Sequence, residues 1–139
     1  MIERDGTATW TGALEDGEGR LQSESLDAAY SFASRFEEGD GVSPEELIGD
    51  AHAGCYSMAL AHELDEAGYT PISVRSTATV QFDADALAIT GIELRTEATV
   101  DGIDEATFQE IAEAAKEGCP VSKALAATDI TLVSARLQN

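Results

Sequence analysis

The stretch Ser43-Pro44-Glu45-Glu46-Leu47-Ile48-Gly49-Asp50-Ala51-His52-Ala53-Gly54-Cys55-Tyr56-Ser57-Met58-Ala59-Leu60 decides how the rest of the chain is read. It opens as a helix. Ser43 stands at the N-cap, Pro44 at the first helical position, where no N–H is needed, and Glu46 at the third position, opposite the cap. Acids in this first turn suit the positive end of the helix dipole. Helical character continues through Ala51, Cys55, Met58 and Leu64 to a stop at Gly68, with Pro71 shortly after. Most residues between 50 and 61 are small or apolar, which predicts a central helix buried on most sides.

Upstream, the pattern is that of strands. Ala8-Thr9-Trp10-Thr11-Gly12 is β-prone, the glycine-rich Glu15 to Gly19 is a turn, and Arg20-Leu21-Gln22-Ser23-Glu24-Ser25 returns as a second strand. Tyr30 and Phe32 fall in a short third extended piece, and residues 35–41 are expected to be a polar loop. Downstream, residues 73–100 alternate as a hairpin turning at Asp83-Ala84-Asp85. Asp104 caps a second helix, with Ile103 placed to staple onto Phe108. Phe108, Ile111, Ala112 and Ala115 form its apolar face, and Gly118 ends it. A short helical turn over 121–126 and a strand over 130–137 complete the chain. The expected order is βββ-α-ββ-α-(short α)-β, with antiparallel sheets around the central helix, in one α+β domain over residues 1–139.

Composition narrows the partners. The 139 residues carry 27 acids against 8 basic residues, a net charge of -19. Phosphate contacts need clustered Lys and Arg, so nucleic acid and anionic membranes are poor partners. No apolar run approaches the roughly 18 residues of a membrane span. The opening Met1-Ile2-Glu3-Arg4-Asp5 lacks the basic and apolar regions of a secretory leader, so a cytoplasmic location is expected. The scattered acids fit a solvated surface, and also solubility in high salt, a reading that fails if folding is equally stable at low and multimolar KCl. The two cysteines, Cys55 and Cys119, form no CxxC, and the two histidines, His52 and His62, are not at zinc-finger spacing, so no metal is expected.

The cysteines are the candidates for chemistry. A thiol with a pKa of about 8.5 is about 3% ionised at pH 7, and lowering that pKa to about 6 requires roughly 3.4 kcal/mol of differential stabilisation. Burial in an apolar helix works the other way, so a reactive Cys55 needs a cation, and Arg35 is the nearest upstream. Glu45 is placed to hold Arg35 by a bidentate pair. On a straight helix, however, Glu45 lies about 15 Å of rise before Cys55. Contact would require a bend near 49–54, a route through loops, or another subunit. His52, at i, i+3 from Cys55, is a candidate base, or a capping or interface residue. Cys119, between Gly118 and Pro120, sits at a break where a thiol can be reached and can move. The two thiols can bond only if the fold brings their Cα atoms within about 7 Å.

The stretch over 43–60 closely resembles the signature of the family named for osmotically induced protein C and organic hydroperoxide resistance (OsmC/Ohr). Gly118-Cys119-Pro120-Val121-Ser122 resembles the family's second signature, and Arg35-Phe36-Glu37 and Gly102-Ile103-Asp104 fit as well. The resemblance covers essentially the whole chain, and Ala51-His52-Ala53 is closer to the OsmC branch. Gly54, Asp50 and Tyr56 depart from the commoner residues, and Asp50 is expected to face away from Cys55.

The resemblance implies a thiol-dependent peroxidase acting on organic hydroperoxides, and more weakly on hydrogen peroxide, in defence against oxidative and osmotic stress. It implies Cys55 as the peroxidatic cysteine, Cys119 as the resolving cysteine, Arg35 as the stabiliser of thiolate and peroxide, and Glu45 as the residue that orients Arg35. It further implies an intertwined homodimer, no bound cofactor, and an external dithiol reductant, a dihydrolipoyl group on a protein. Two other readings compete. A non-enzymatic redox sensor or small-molecule binding module would need the thiols only as a switch, or not at all. A hydrolase or acyl transferase would pair Cys55 with His52.

Overall fold

The computed structural model describes residues 1–138. Its elements run β1 (Thr7–Thr11), β2 (Glu18–Gln22), β3 (Asp27–Tyr30), α1 (Phe32–Phe36), α2 (Pro44–Glu66), β4 (Pro71–Asp83), β5 (Ala88–Val100), α3 (Glu105–Gly118), α4 (Pro120–Ala124) and β6 (Asp129–Gln138). The fold is α+β, and the described residues fall in two units, 1–47 and 48–138.

In the first unit, β1, β2 and β3 form an antiparallel sheet in that order. Gly19 lies opposite Tyr30, and a Cβ there would collide with the Tyr30 ring, which packs at a tilt with its centroid 5.5 Å from that of Trp10. The region after β3 differs from expectation: Phe32–Phe36 is a helix, and Arg35 lies in its last turn rather than in a loop. The cause is local. The Ser34 N–H donates to Ser31 Oγ at 3.0 Å, and the Ser31 N–H donates back to Ser34 Oγ at 2.8 Å, a reciprocal capping box. Five residues are too few to show a helical period. Ser43 caps α2 as expected, accepting from the Glu46 N–H at 3.1 Å. Among the described residues of this unit only Gly19 and Glu45 are buried.

In the second unit, α2 is continuous through Gly49 and Gly54 and ends where Gly68 takes a φ of 90°. Gly49, His52, Tyr56, Leu60 and Leu64 form one buried stripe, three and four residues apart. The opposite face, Ala51, Gly54 and Met58, is exposed, Met58 to 77%. Within this chain the helix therefore has one buried face, not burial on most sides. Its small residues leave a second face low in polarity without supplying a partner for it.

β4 and β5 pair antiparallel, and the Asp83 carboxylate closes the turn by accepting from the N–H groups of Asp85 and Ala86. β6 pairs with β5 in parallel, which corrects the antiparallel expectation for this strand. The reason is the connection. A hairpin reverses the chain, whereas α3 and α4 form a helical crossover that returns it in the same direction. Asp104 caps α3 through the Thr107 N–H at 2.7 Å, and Phe108, Ala112 and Ala115 are its buried face. These residues meet Tyr56, Leu60, Leu64, Leu94 and Val100 in one core. Each fully buried Leu or Phe contributes about 1.5–3 kcal/mol. The Tyr56 hydroxyl donates to the Ala112 carbonyl at 2.9 Å, and Ser57, Ser76 and Thr96 form a hydroxyl ladder with 2.9 Å steps. No helix among the described residues is long and apolar enough to cross a membrane.

Candidate active site

The second unit brings the two cysteines together. Cys55 projects from α2 beside the buried stripe, and Cys119 occupies the junction where α3 ends and α4 begins. Their sulfurs are 3.2 Å apart, the Cys119 S–H donating to the Cys55 sulfur, and neither forms a disulfide. A disulfide requires them to close to about 2.0 Å. The expected accessibility is reversed: Cys119 is 0% exposed, while Cys55 is half-buried. Cys119 continues the buried row of Ala112 and Ala115 on the core face of α3, while Glu117 and Gly118 just before it are exposed.

Burial pushes the Cys55 thiol up; the Val121 N–H partly offsets this, and the proton and charge of Cys119 add to it. None of these influences is a cation. Burial also opposes ionisation of Cys119, but the Ser122 N–H, the Cys55 thiol, the Ser122 hydroxyl and the Val121 N–H outweigh it and hold Cys119 below its ordinary value. The pair titrates as a unit. Asp50 is exposed and is not among the groups that shift Cys55, as expected.

The first unit brings together Arg35 and Glu45. Arg35 donates from Nε at 3.1 Å and from Nη2 at 2.8 Å, both to Glu45 Oε1. This is a fork on one oxygen, not the two-oxygen pair expected from the sequence. Oε2 is buried and has no hydrogen-bond partner among the described residues. The Arg35 guanidinium also lies over the Phe36 ring, 5.4 Å from its centroid.

His52 does not form a dyad with Cys55. It is fully buried, with Nε2 2.7 Å from Ser122 Oγ and Nδ1 unpartnered among the described residues. Burial lowers its pKa, so the ring is neutral at pH 7. This geometry removes the hydrolase reading, which needs the imidazole on Cys55. Ser122 is the residue that the sequence reading passed over as a mere member of its motif. Its spacing, three residues after a cysteine that opens a helix, was the available signal.

The model of the OsmC-like protein family matches residues 37–133. The chain is 49% identical over 136 residues to the peroxiredoxin OsmC of Escherichia coli (strain K12), covering 94% of each chain. The chain belongs to the OsmC-like family. Solved structures agree in fold. The OsmC-like protein from Mycoplasma pneumoniae superposes with a TM-score of 0.76 at 16% identity, covering 99% of both chains. The organic hydroperoxide resistance protein OhrB of Bacillus subtilis gives 0.64 at 22% identity, over 96% of this chain and 98% of that one. Membership, together with a thiol pair at 3.2 Å, makes the protein a cysteine-dependent peroxidase.

Proposed function

We propose that the protein reduces organic hydroperoxides, and hydrogen peroxide less well, with Cys55 as the peroxidatic and Cys119 as the resolving cysteine. The Cys55 thiolate attacks the distal peroxide oxygen. The O–O bond breaks, the alcohol leaves with a proton, and Cys55 becomes a sulfenic acid. The Cys119 thiolate then attacks the Cys55 sulfur. The S–O bond breaks, hydroxide takes up a proton to leave as water, and an intramolecular disulfide forms. The single observation that carries this reading is the 3.2 Å sulfur separation, with Cys55 the more accessible of the two.

Arg35 supplies the positive charge that Cys55 lacks within its own unit, and Glu45 orients Arg35. Support comes from the direction of the Cys55 shift, which only a cation or donors beyond those already present can reverse. The working form is a single 1–139 domain in a homodimer. The exposed Ala51, Gly54 and Met58 face of α2 and the sparse burial of the first unit both favour cover from a second copy. The reductant is an external dithiol, a dihydrolipoyl group on a protein, in the cytoplasm. A dithiol opens the disulfide and then releases itself by forming its own ring. The B. subtilis relative named for organic hydroperoxide resistance supports the substrate class.

Steady-state reduction of cumene hydroperoxide tests this, with dihydrolipoamide and glutathione compared as reductants. Turnover with the dithiol that falls about a hundredfold in Arg35→Ala agrees with loss of one preorganised electrostatic group. Equal rates in Arg35→Ala and wild type overturn the role of Arg35.

A further inference from the structure

We infer that the outer face of the β4–β5–β6 sheet carries a binding site for a small multivalent oxyanion, one bearing carboxylate or phosphate groups, held between the guanidinium groups of Arg75 and Arg136 with Arg95 beside them. The site is a cleft of about 260 Å³ whose lining includes Arg75, Thr77, Arg95, Glu97, Ser134 and Arg136. It lies wholly within the second unit and is independent of the roles given to the cysteines.

Three strands assemble it. Alternation turns Ser76 and Thr96 inward to the hydroxyl ladder, and so turns Arg75, Thr77, Arg95 and Glu97 outward. The register then sets two rows across the sheet. Arg75 on β4, Glu97 on β5 and Arg136 on β6 form one row, and Thr77, Arg95 and Ser134 form the next. Neighbouring strands lie about 4.8 Å apart, so Arg75 and Arg136 stand about 10 Å apart at the backbone. Two long side chains at that spacing can close on one ligand from either side.

The charges single out this place. The chain carries 27 acids against 8 basic residues, and Arg20, Arg35, Arg95 and Lys116 each hold a carboxylate. Among the described residues Arg75 and Arg136 form no ion pair and no side-chain hydrogen bond, although Glu97 stands between them. Glu97 is drawn the other way. Its Oε2 accepts from Gln138 Nε2 at 2.9 Å, and Gln138 belongs to the following row, opposite Thr99. Arg95 donates from Nη2 to Glu93 at 2.7 Å, which leaves its other N–H groups for the cleft. In so acidic a chain, two unpaired guanidinium groups flanking one cleft are donors in want of an anion.

The donors set the ligand class. A guanidinium fork matches the paired oxygens of a carboxylate or a phosphate. The Thr77 and Ser134 hydroxyls can donate to the same oxygens. Glu97 at the rim repels every anion, so a ligand with two or three charges, which engages both arginines, is favoured over a monovalent one. The cleft is smaller than the roughly 300–1,000 Å³ of drug-sized ligands, which suits an ion of a few groups rather than a nucleotide.

The test is titration of the whole chain, in its own oligomeric state, with citrate and with pyrophosphate, followed by NMR of the arginine Nε–Hε groups. Ionic strength is held at about 0.15 M, where the Debye length is about 8 Å and distant acids are largely screened. Saturable shifts of the Arg75 and Arg136 signals are expected, with none of Arg20, which is paired with Asp27 in the other unit. Arg75→Gln and Arg136→Gln are each expected to weaken binding about tenfold, as loss of a charge-assisted pair does, while peroxide turnover stays at the wild-type rate. Arg75→Lys, which keeps the charge but not the fork, is expected to recover only part of the affinity. Saturation by citrate alone assigns a carboxylate ligand, and by pyrophosphate alone a phosphate; either supports the site. The absence of saturable shifts up to about 10 mM of both anions overturns it, as does wild-type affinity in the Arg75→Gln, Arg136→Gln double variant.

Discussion

The two units divide the work unequally. Residues 1–47 hold a charged pair, Arg35 on α1 and Glu45 in the first turn of α2, in a unit whose three-stranded sheet buries almost no apolar side chain. Residues 48–138 hold the sulfur pair against a dense core of Tyr56, Leu60, Phe108 and Ala112. The difference teaches how such a site separates its requirements. The thiols must meet within about an ångström of bonding distance, so they are placed on helices locked by packing. The same packing removes water from Cys55 and raises its pKa, so a buried thiol pair is rigid but not by itself reactive. The guanidinium of Arg35, in the thinner unit, is held by a hydrogen-bonded carboxylate instead of by a core.

The largest effect falls on the sulfur unit. Cys55→Ser is expected to lower peroxide turnover by about a thousandfold or more, as loss of a nucleophile does. Cys119→Ser is expected to give one burst of peroxide consumption and then stall as the sulfenic acid. Equal steady-state activity in both variants and wild type would erase the functional side of the contrast.

Stability separates the units next. Phe108→Ala, in the core, is expected to cost about 3–5 kcal/mol in urea unfolding. Leu21→Ala, on the partly exposed first sheet, is expected to cost no more than about 1 kcal/mol in the same measurement. Comparable losses would show that the first unit has a core of its own importance.

A smaller effect sharpens the contrast through pH. Burial depresses the folded-state pKa of His52, while the unfolded chain takes up this proton near pH 6.5. The unfolded state therefore binds more protons in that window. The stability associated with a neutral His52 is complete above about pH 6.5 and is lost as pH falls toward the folded pKa. His52→Gln is expected to flatten this slope in urea midpoints taken between about pH 7.5 and about pH 5.5. An unaltered slope would place the acid sensitivity elsewhere.

Much of this arrangement was legible in the residues, for local reasons. Ser43-Pro44-Glu45-Glu46 writes a helix start in capping chemistry alone, and the structure has that hydrogen bond. The alternation over 73–100 and the Asp83 turn fixed the long hairpin, and Asp104 announced α3. The unread parts depend on geometry without a period. α1 is five residues held by a serine pair. The direction of β6 follows from how a helical crossover travels, which no strand pattern encodes. The burial of Cys119 depends on the core beneath its junction, although Gly118 and Pro120 around it resemble an open break. The thiol pairing itself joins positions 64 apart in sequence, and only the family resemblance anticipated it. The contact between His52 and Ser122 spans 70 positions and carried no sequence signal beyond the motif itself.

The most direct test of the account is a single-turnover oxidation of the fully reduced protein by one equivalent of cumene hydroperoxide, with free thiols counted before and after and the product run on a non-reducing gel. The account predicts loss of two thiols per chain, no covalent dimer, and no loss in Cys55→Ser. Two thiols that remain free under excess peroxide would contradict it.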